Sequence, residues 1–316
     1  MRGAQTHRPV LRDEILEALR IRPDGCYLDA TYGRGGHSEG IAASLGRDGM
    51  LIAVDRDPEA VAHARKLFAD DTHIRVVQGN FGMLREIVGR CGCAEVDGIV
   101  MDLGVSSPQL DDPDRGFSFM RSGPLDMRMD PESGISAAAW LANAAEKDIS
   151  DVLKRYGEER HHRRIARAIV QTRDGRGDQP PTAITTTGQL AGIVTAAVPK
   201  HEPGKHPATR TFQAIRIFIN DELGALETAL DDSVDILAQG GRLCVISFHS
   251  LEDRIVKRYF RDRERGDPRW AGLPQMPEEA RPVLKRIGKA IRPSQAETEH
   301  NPRARSAVLR VAEKLA

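Results

Sequence analysis

The fold is decided at Cys26-Tyr27-Leu28-Asp29-Ala30-Thr31-Tyr32-Gly33-Arg34-Gly35-Gly36-His37. Cys26 to Ala30 is a short apolar run and reads as a buried strand, and His37 to Leu45 reads as a helix. Glycines between a strand and a helix let a ligand approach the backbone closely. Alone the loop is weak, because a glycine-rich turn with no ligand has the same appearance. The next strand, Met50 to Val54, ends in Asp55, 22 residues after Gly33. An acid at that distance can accept hydrogen bonds from ribose hydroxyls.

Working outward, Pro58 sits near the start of a further helix, where its missing N–H costs little. Ile74 to Val77 and Gly98 to Met101 read as a third and a fourth strand, the fourth ending at Asp102. Strands alternating with helices predict a parallel sheet covered on both faces. Acids therefore close three successive strand ends: Asp29, Asp55 and Asp102. In such a sheet the ligand lies outside those ends. NAD brings an anionic pyrophosphate there, whereas S-adenosylmethionine (AdoMet) brings a sulfonium and an ammonium. A rim of carboxylates suits the cations and opposes the anion. The loop also lacks the G-K-[ST] ending of a nucleoside triphosphate site.

After Asp102 the alternation stops. Ser106 to Ser133 carries many Asp, Pro and Gly residues and reads as loop. Ile135 to about Arg173 reads as helical with a break near Gly157, and Thr185 to Val198 as another helix capped from the Thr185-Thr186-Thr187 run. Gly175 to Pro181 is a polar linker, and Pro199 to Pro207 a second loop. A long helix is expected from Thr211 to Ala238, stopped by Gly240-Gly241. Arg242 to Phe248 is the strongest strand pattern, Leu251 to Arg263 a helix, and two short strands are expected near Val283 to Ile287 and Ser306 to Val311. The pattern is that of one α/β domain, residues 1–112 and 208–316, with a helical insertion at 113–207.

The chain has 316 residues, 46 basic and 46 acidic side chains and a formal net charge of zero. A zero total does not exclude nucleic acid, since clustering on one face matters more than the sum. Of the four cysteines, Cys26 and Cys244 lie in apolar runs, and Cys91 and Cys93 form a lone C-x-C. A zinc site needs about four ligands, so no metal is expected. Few cysteines, a polar Met1 to Leu11 and no apolar run near the ~18–20 residues of a membrane span point to the cytoplasm and away from membranes.

Several further strings are long and compositionally odd. They include His7-Arg8-Pro9-Val10-Leu11, Asp102-Leu103-Gly104-Val105-Ser106-Ser107-Pro108-Gln109-Leu110, Arg115-Gly116-Phe117-Ser118-Phe119 and Pro124-Leu125-Asp126-Met127-Arg128-Met129. Thr211-Phe212-Gln213-Ala214-Ile215-Arg216, Ser247-Phe248-His249-Ser250-Leu251-Glu252-Asp253-Arg254 and Asn301-Pro302-Arg303-Ala304-Arg305-Ser306 follow. Together with the glycine loop they resemble, nearly end to end, the MraW/RsmH family of ribosomal RNA cytosine N4-methyltransferases. The resemblance implies a class I (Rossmann-like) AdoMet-dependent methyltransferase whose inserted helical domain recognises substrate. It implies N4-methylation of a decoding-centre cytidine, cytidine 1402, of 16S rRNA in the small ribosomal subunit. It suggests AdoMet contacts at Gly35, Gly36, His37, Asp55, Phe81, Asp102 and Gln109, with the Phe81 ring placed to pack on adenine. A homodimer is left open.

The amino group of cytosine is a poor nucleophile because its lone pair is delocalised into the ring. Holding it in line with the methyl group lowers the barrier, and an oxygen that accepts its proton helps further. Many amino-methyltransferases place a short D/N/S-P-P-aromatic motif after the fourth strand. Here Asp102 is followed by Ser106-Ser107-Pro108-Gln109, the same place with different residues. Ser107 and Asp126 are the candidate acceptors. The plainer readings stand beside them: Ser106-Ser107-Pro108 as a turn, Asp126 as a loop acid or a partner of Arg128, His249 in a structural hydrogen bond, His37 as a helix cap.

Basic residues cluster twice. Lys154 to Arg176 holds Arg160-His161-His162-Arg163-Arg164 and Arg167, and Arg281 to Lys314 holds nine basics against three acids. Phosphate binding needs such clusters, and a solvated face gives the same pattern. Lys200, Lys205 and His206 are candidates to extend an RNA groove. The rival classes are an NAD-linked oxidoreductase and a non-catalytic RNA-binding factor that keeps the cofactor fold.

Overall fold

The computed structural model describes residues 9–199, 204, 206–270, 277 and 280–315. The His7-Arg8 start of the first string, and Lys200 and Lys205, lie outside them. Two compact units divide the chain: Met1–Gly104 with Leu223–Ala316, and Val105–Glu222.

In chain order the elements are α1 (Arg12–Leu19), β1 (Cys26–Asp29), α2 (Gly36–Ala42), β2 (Met50–Asp55), α3 (Pro58–Leu67), β3 (Ile74–Gln78), α4 (Leu84–Arg90) and β4 (Val96–Asp102). The second unit supplies α5 (Ser107–Asp111), α6 (Ala137–Asn143), α7 (Glu146–Gly157), α8 (His162–Asp174), α9 (Thr187–Ala197) and α10 (Thr209–Asn220). Then come α11 (Glu222–Ile236), β5 (Leu237–Ser247), α12 (Ser250–Arg265), β6 (Leu284–Arg286), α13 (Gln295–His300) and β7 (Val308–Lys314).

The seven strands form one sheet in the order β3-β2-β1-β4-β5-β7-β6. The first five are parallel, β7 runs against β5, and β6 against β7. Side chains alternate between its faces. Leu28, Ile52, Ile99, Met101, Leu243 and Val245 share a core with Ile87 of α4, Leu230 of α11 and Phe260 of α12. Tyr27, Leu51, Val100, Cys244 and Ile246 face the opposite way and share a core with Ile15 of α1 and Ile41 of α2. Burial on both faces explains why these strands read as unbroken apolar runs. The strand order reverses between β1 and β4, and in such sheets ligands bind beyond the carboxyl ends at that point.

The second unit has its own core, in which Leu141, Ile149, Leu153, Ile165, Ile169, Leu190 and Ile215 are fully buried. Gly157 is required where α7 meets α10, because a Cβ there would fall 2.7 Å from the Arg210 carbonyl oxygen. The capping expected from the threonine run is present: Gln189 N donates to Thr186 Oγ1, and Thr186 N donates to Gln189 Oε1.

Four expectations differ from the structure. The helix from Thr211 to Ala238 is two helices, broken where Asp221 adopts φ 49. Gly240 and Gly241 do not stop a helix. They lie inside β5, where Gly240 has φ 77 and the β4–β5 register shifts between Val96 and Gly98, so they form a bulge. The segment Ser106–Ser133 is not plain loop: it contains α5, a turn of 3-10 helix at Pro113–Arg115, and a stretch fastened from beneath. Asn220 Nδ2 donates to the Met127 oxygen at 2.7 Å, its Oδ1 accepts from Met129 N at 2.8 Å, and Arg115 donates to the oxygen of Met129 at 2.8 Å. The helical unit also reaches beyond 113–207 at both ends, because Phe212, Ala214 and Ile215 of α10 belong to its core.

Candidate active site

Six of the expected cofactor residues, Gly35, Gly36, His37, Asp55, Phe81 and Asp102, belong to the first unit and follow or close the carboxyl ends of β1 to β4. Ser107, Gln109 and Asp126 belong to the second unit.

The glycine loop is held by its own chain. Gly33 N donates to Asp55 Oδ2 at 2.7 Å and Asp57 N to Asp55 Oδ1 at 2.8 Å. Each oxygen keeps a lone pair for a further donor. Burial pushes the Asp55 carboxyl up to about 6 despite these bonds. Gly35 has φ 82, and a Cβ on it would lie 2.5 Å from Tyr32 Oη. A Cβ on Gly36 would lie 2.1 Å from Pro9 Cγ. Both glycines are therefore demanded by packing within the protein.

His37 is buried in the first turn of α2, which Gly35 caps without a side-chain bond, so His37 is no helix cap. Its Nε2 lies 3.6 Å from Asp102 Oδ2, close enough for charge attraction and too long for a hydrogen bond. Burial works to lower the imidazole pKa, but Asp102 and Asp29 together outweigh it and the net shift is upward. Both ring nitrogens of His37 and Asp102 Oδ1 are buried without a hydrogen-bond partner. Buried polar atoms are ordinarily satisfied, so such a cluster marks a place where a polar ligand belongs. Behind it, Asp29 is fully buried and accepts from Ser38 Oγ at 2.6 Å, and burial raises its pKa. Asp102 N donates to Thr31 Oγ1 at 2.6 Å, which ties the ends of β1 and β4 together. Thr31 went unmarked in the sequence because a threonine in a glycine loop carries no pattern of its own.

Phe81 follows β3 in a single 3-10 turn that Asn80 caps by accepting from Gly82 N at 3.0 Å. Its ring is half-buried and packs partly on the core beneath the sheet.

Gln109 has a local task, since its Oε1 accepts from Ser106 N at 2.9 Å in the capping box of α5. Ser107 is half-buried at the first position of that helix. Asp126 is held by Arg128, whose Nε and Nη2 donate to the two carboxylate oxygens at 2.8 and 2.7 Å. Arg128 N adds a third bond at 3.0 Å. Burial works to raise the Asp126 pKa, but Arg128 more than offsets it and the carboxyl lies below its ordinary value.

At the end of β5, His249 caps α12, with Glu252 N donating to its Nδ1 at 3.4 Å and Glu252 Oε2 accepting from Phe248 N at 2.8 Å. That is the structural bond expected for His249. Its Nε2 lies 3.1 Å from Glu252 Oε1, at ion-pair distance but without hydrogen-bond geometry, and the neighbouring Ser247 Oγ is buried without a hydrogen bond. Ser247 closes its strand as Asp29, Asp55 and Asp102 close theirs, a position that its small neutral side chain did not advertise.

The basic clusters divide on inspection. In the helical unit Arg167 lies 3.6 Å from Glu146 and Arg173 is bound to Asp174, while Arg160, Arg163 and Arg164 are exposed. His206 stacks on Phe119, ring centroids 4.5 Å apart. In the first unit Arg310 pairs with Asp253, Arg286 with Glu264, and Lys314 donates to the Leu237 oxygen.

A parallel sheet with a reversed strand β7, a glycine turn after β1 and carboxylates along its ligand edge define a class I AdoMet-dependent methyltransferase. The residues fit that cofactor: Asp55 retains acceptor capacity for ribose hydroxyls, and the orphaned Asp102 Oδ1 suits an ammonium group. The chain belongs to the MraW methylase family, whose model matches residues 4–315. It is 57% identical over 315 residues to the ribosomal RNA small subunit methyltransferase H of Thioalkalivibrio sulfidiphilus, covering 99% of this chain and 98% of that one. The protein of the same name from Halorhodospira halophila is 55% identical over 313 residues, covering 99% and 95%. A solved rRNA methylase from Streptococcus thermophilus overlays with a TM-score of 0.42 at 13% identity, covering 99% of this chain and 100% of that one. Family membership removes the NAD-linked oxidoreductase from consideration. Among the described residues no helix is long and apolar enough to cross a membrane.

Proposed function

We propose that the protein methylates N4 of a decoding-centre cytidine, cytidine 1402, of 16S rRNA in the cytoplasmic small ribosomal subunit. The observation that carries this reading is the near-full-length likeness to relatives named for small-subunit rRNA methylation. When bound, AdoMet supplies a methyl group made electrophilic by the attached sulfonium.

The chain's own residues do the rest. Asp55 accepts hydrogen bonds from ribose hydroxyls, and Asp102, with His37 beside it, holds the ammonium. Phe81 offers an aromatic face to adenine, and Gly35 and Gly36 keep the loop in the shape that presents its backbone. Gln109 acts through the capping box that fixes the start of α5 and thereby places Ser107. Ser107 Oγ accepts a hydrogen bond from the cytosine amino N–H, keeping the nitrogen lone pair directed at the methyl carbon, and the proton that the amino group gives up on methylation would pass by way of this oxygen to water. Asp126 serves as a positioning residue, because its carboxylate already accepts three N–H bonds from Arg128. The helical unit recognises the RNA.

The test is transfer of labelled methyl from AdoMet to small subunits from a strain lacking the gene, read by nucleoside mass spectrometry. N4-methylcytidine is expected. Label in another nucleoside overturns the substrate, and no label while AdoMet still binds favours the non-catalytic binding role. Ser107→Ala is expected to lower the single-turnover rate with RNA affinity kept; an unchanged rate removes Ser107 from the chemistry.

A further inference from the structure

We infer that Lys289, Arg292 and Arg305 form a phosphate-binding margin that guides the backbone of the RNA strand carrying the target base. This rests on the RNA reading above.

With a formal net charge of zero, the chain can hold a polyanion only where cations gather locally. Topology gathers these three at the ligand edge of the first unit. Strand β7 runs against β5, with Val308 opposite Ser247, so the residues just before Val308 lie at the same edge as Asp102 and Ser247. Those residues form the 3-10 turn Pro302–Ser306, anchored by the buried Ala304 and by Ala307, with Arg305 exposed on it. Ile291 and Leu309 exchange both backbone hydrogen bonds at 2.9 Å, which brings the exposed Arg292 to the same corner.

Lys289 is presented by a local device. Ile287 pairs with Val311 and Ile291 with Leu309, so Gly288, Lys289 and Ala290 face the single residue Arg310. The surplus bulges outward at Gly288, which has φ 66 and open space where a Cβ would be. Bulges at sheet edges re-aim side chains, and this one presents an exposed lysine.

Three of the local acids are ion-paired: Asp253 holds Arg310, Glu264 holds Arg286 and Glu313 holds Arg242. Glu297 and Glu299 keep their charge and accept from neutral donors, Leu11 N and the Gln295 amide, so three cations stand against two carboxylates here. Among the described residues no ion pair neutralises Lys289, Arg292 or Arg305. A charged sheet edge also discourages edge-to-edge pairing, and that would account for a lysine beside β6. It does not account for Arg305, which lies outside the edge strand, or for two guanidiniums, whose planar forks match phosphate oxygens.

The test measures affinity of the AdoMet-loaded full chain for a 16S rRNA transcript between roughly 50 and 200 mM salt. Lys289→Gln/Arg292→Gln/Arg305→Gln is compared with Arg65→Gln/Lys66→Gln/Arg75→Gln. The second set removes the same charge from exposed positions at the amino ends of the strands. For the first variant the slope of log K against log salt is expected to become shallower by about 2–3, with AdoMet affinity unchanged. The second variant is expected to keep close to the wild-type slope. A wild-type slope in the first variant, or equal losses in both, overturns the proposal. If wild-type protein forms no N4-methylcytidine in small subunits, the RNA reading fails and the margin falls with it. If it forms the product and the first variant keeps the slope, the margin alone is overturned.

Discussion

At the residue scale, Asp55 links cofactor binding to pH. Its carboxyl is held up to about 6, so the folded protein grips that proton more tightly than the unfolded chain does. The resulting stabilisation is complete below the ordinary carboxylate range and is lost as pH rises through about 6. Ribose hydroxyls need the ionised form as acceptor, so cofactor affinity should move the other way. At pH 5 a carboxylate of this pKa is only about one-tenth ionised, so calorimetric AdoMet affinity should be about tenfold weaker than at pH 7. Asp55→Asn should bind more weakly at both values and lose that step; a variant that keeps it would assign the step elsewhere. Asp126 shows the opposite sign. Its lowered pKa gives a stabilisation present above the ordinary carboxylate range and lost as pH falls through the folded value.

At the scale of elements, the strands were plain in the sequence and several helices were not. Leu51 to Val54 are all buried, so β2 appears as an apolar run that no surface helix would show. Asp221 breaks a helix without a glycine or proline, and the apolar residues on either side serve different cores, so periodicity carried straight through it. Helix α4 is as short as α2, at seven residues, but no glycine loop marks its start and Met83 gives it no side-chain cap. In the site, Asp29, Asp55 and Asp102 were legible because an acid ending an apolar strand is conspicuous. The pairing of Asp126 with Arg128 was legible from their two-residue spacing, whereas the capping task of Gln109 was obscured because it depends on a local bond that no pattern encodes. Asn220 is the strongest such case, a buried amide that satisfies Met127 and Met129 at once. Asn220→Ala leaves a carbonyl and an N–H without partners and should cost about 2–4 kcal/mol. Chemical denaturation monitored in the helical unit would measure it, and a loss below half a kcal/mol would mean that the 124–129 stretch is fastened by other means.

At the scale of the whole molecule, the cofactor residues of the first unit come from four successive strand ends, whereas the second unit has a separate core. AdoMet at a hundred times its dissociation constant should stabilise the unit that binds it by about 2.7 kcal/mol. Hydrogen exchange should then slow at Tyr32–His37, Asp55–Asp57 and Asp102–Gly104, and protection confined to 105–222 would contradict that placement. The closure of the first unit has a further consequence. Strand β7 completes its sheet beside β5, Glu297 of α13 clasps Leu11, and Pro9 seals Gly36. The helical unit is by contrast one uninterrupted stretch of chain. During synthesis, therefore, the middle of the protein can fold first, and the glycine turn, though made among the earliest residues, must wait for the latest strand to leave the ribosome before its walls are complete.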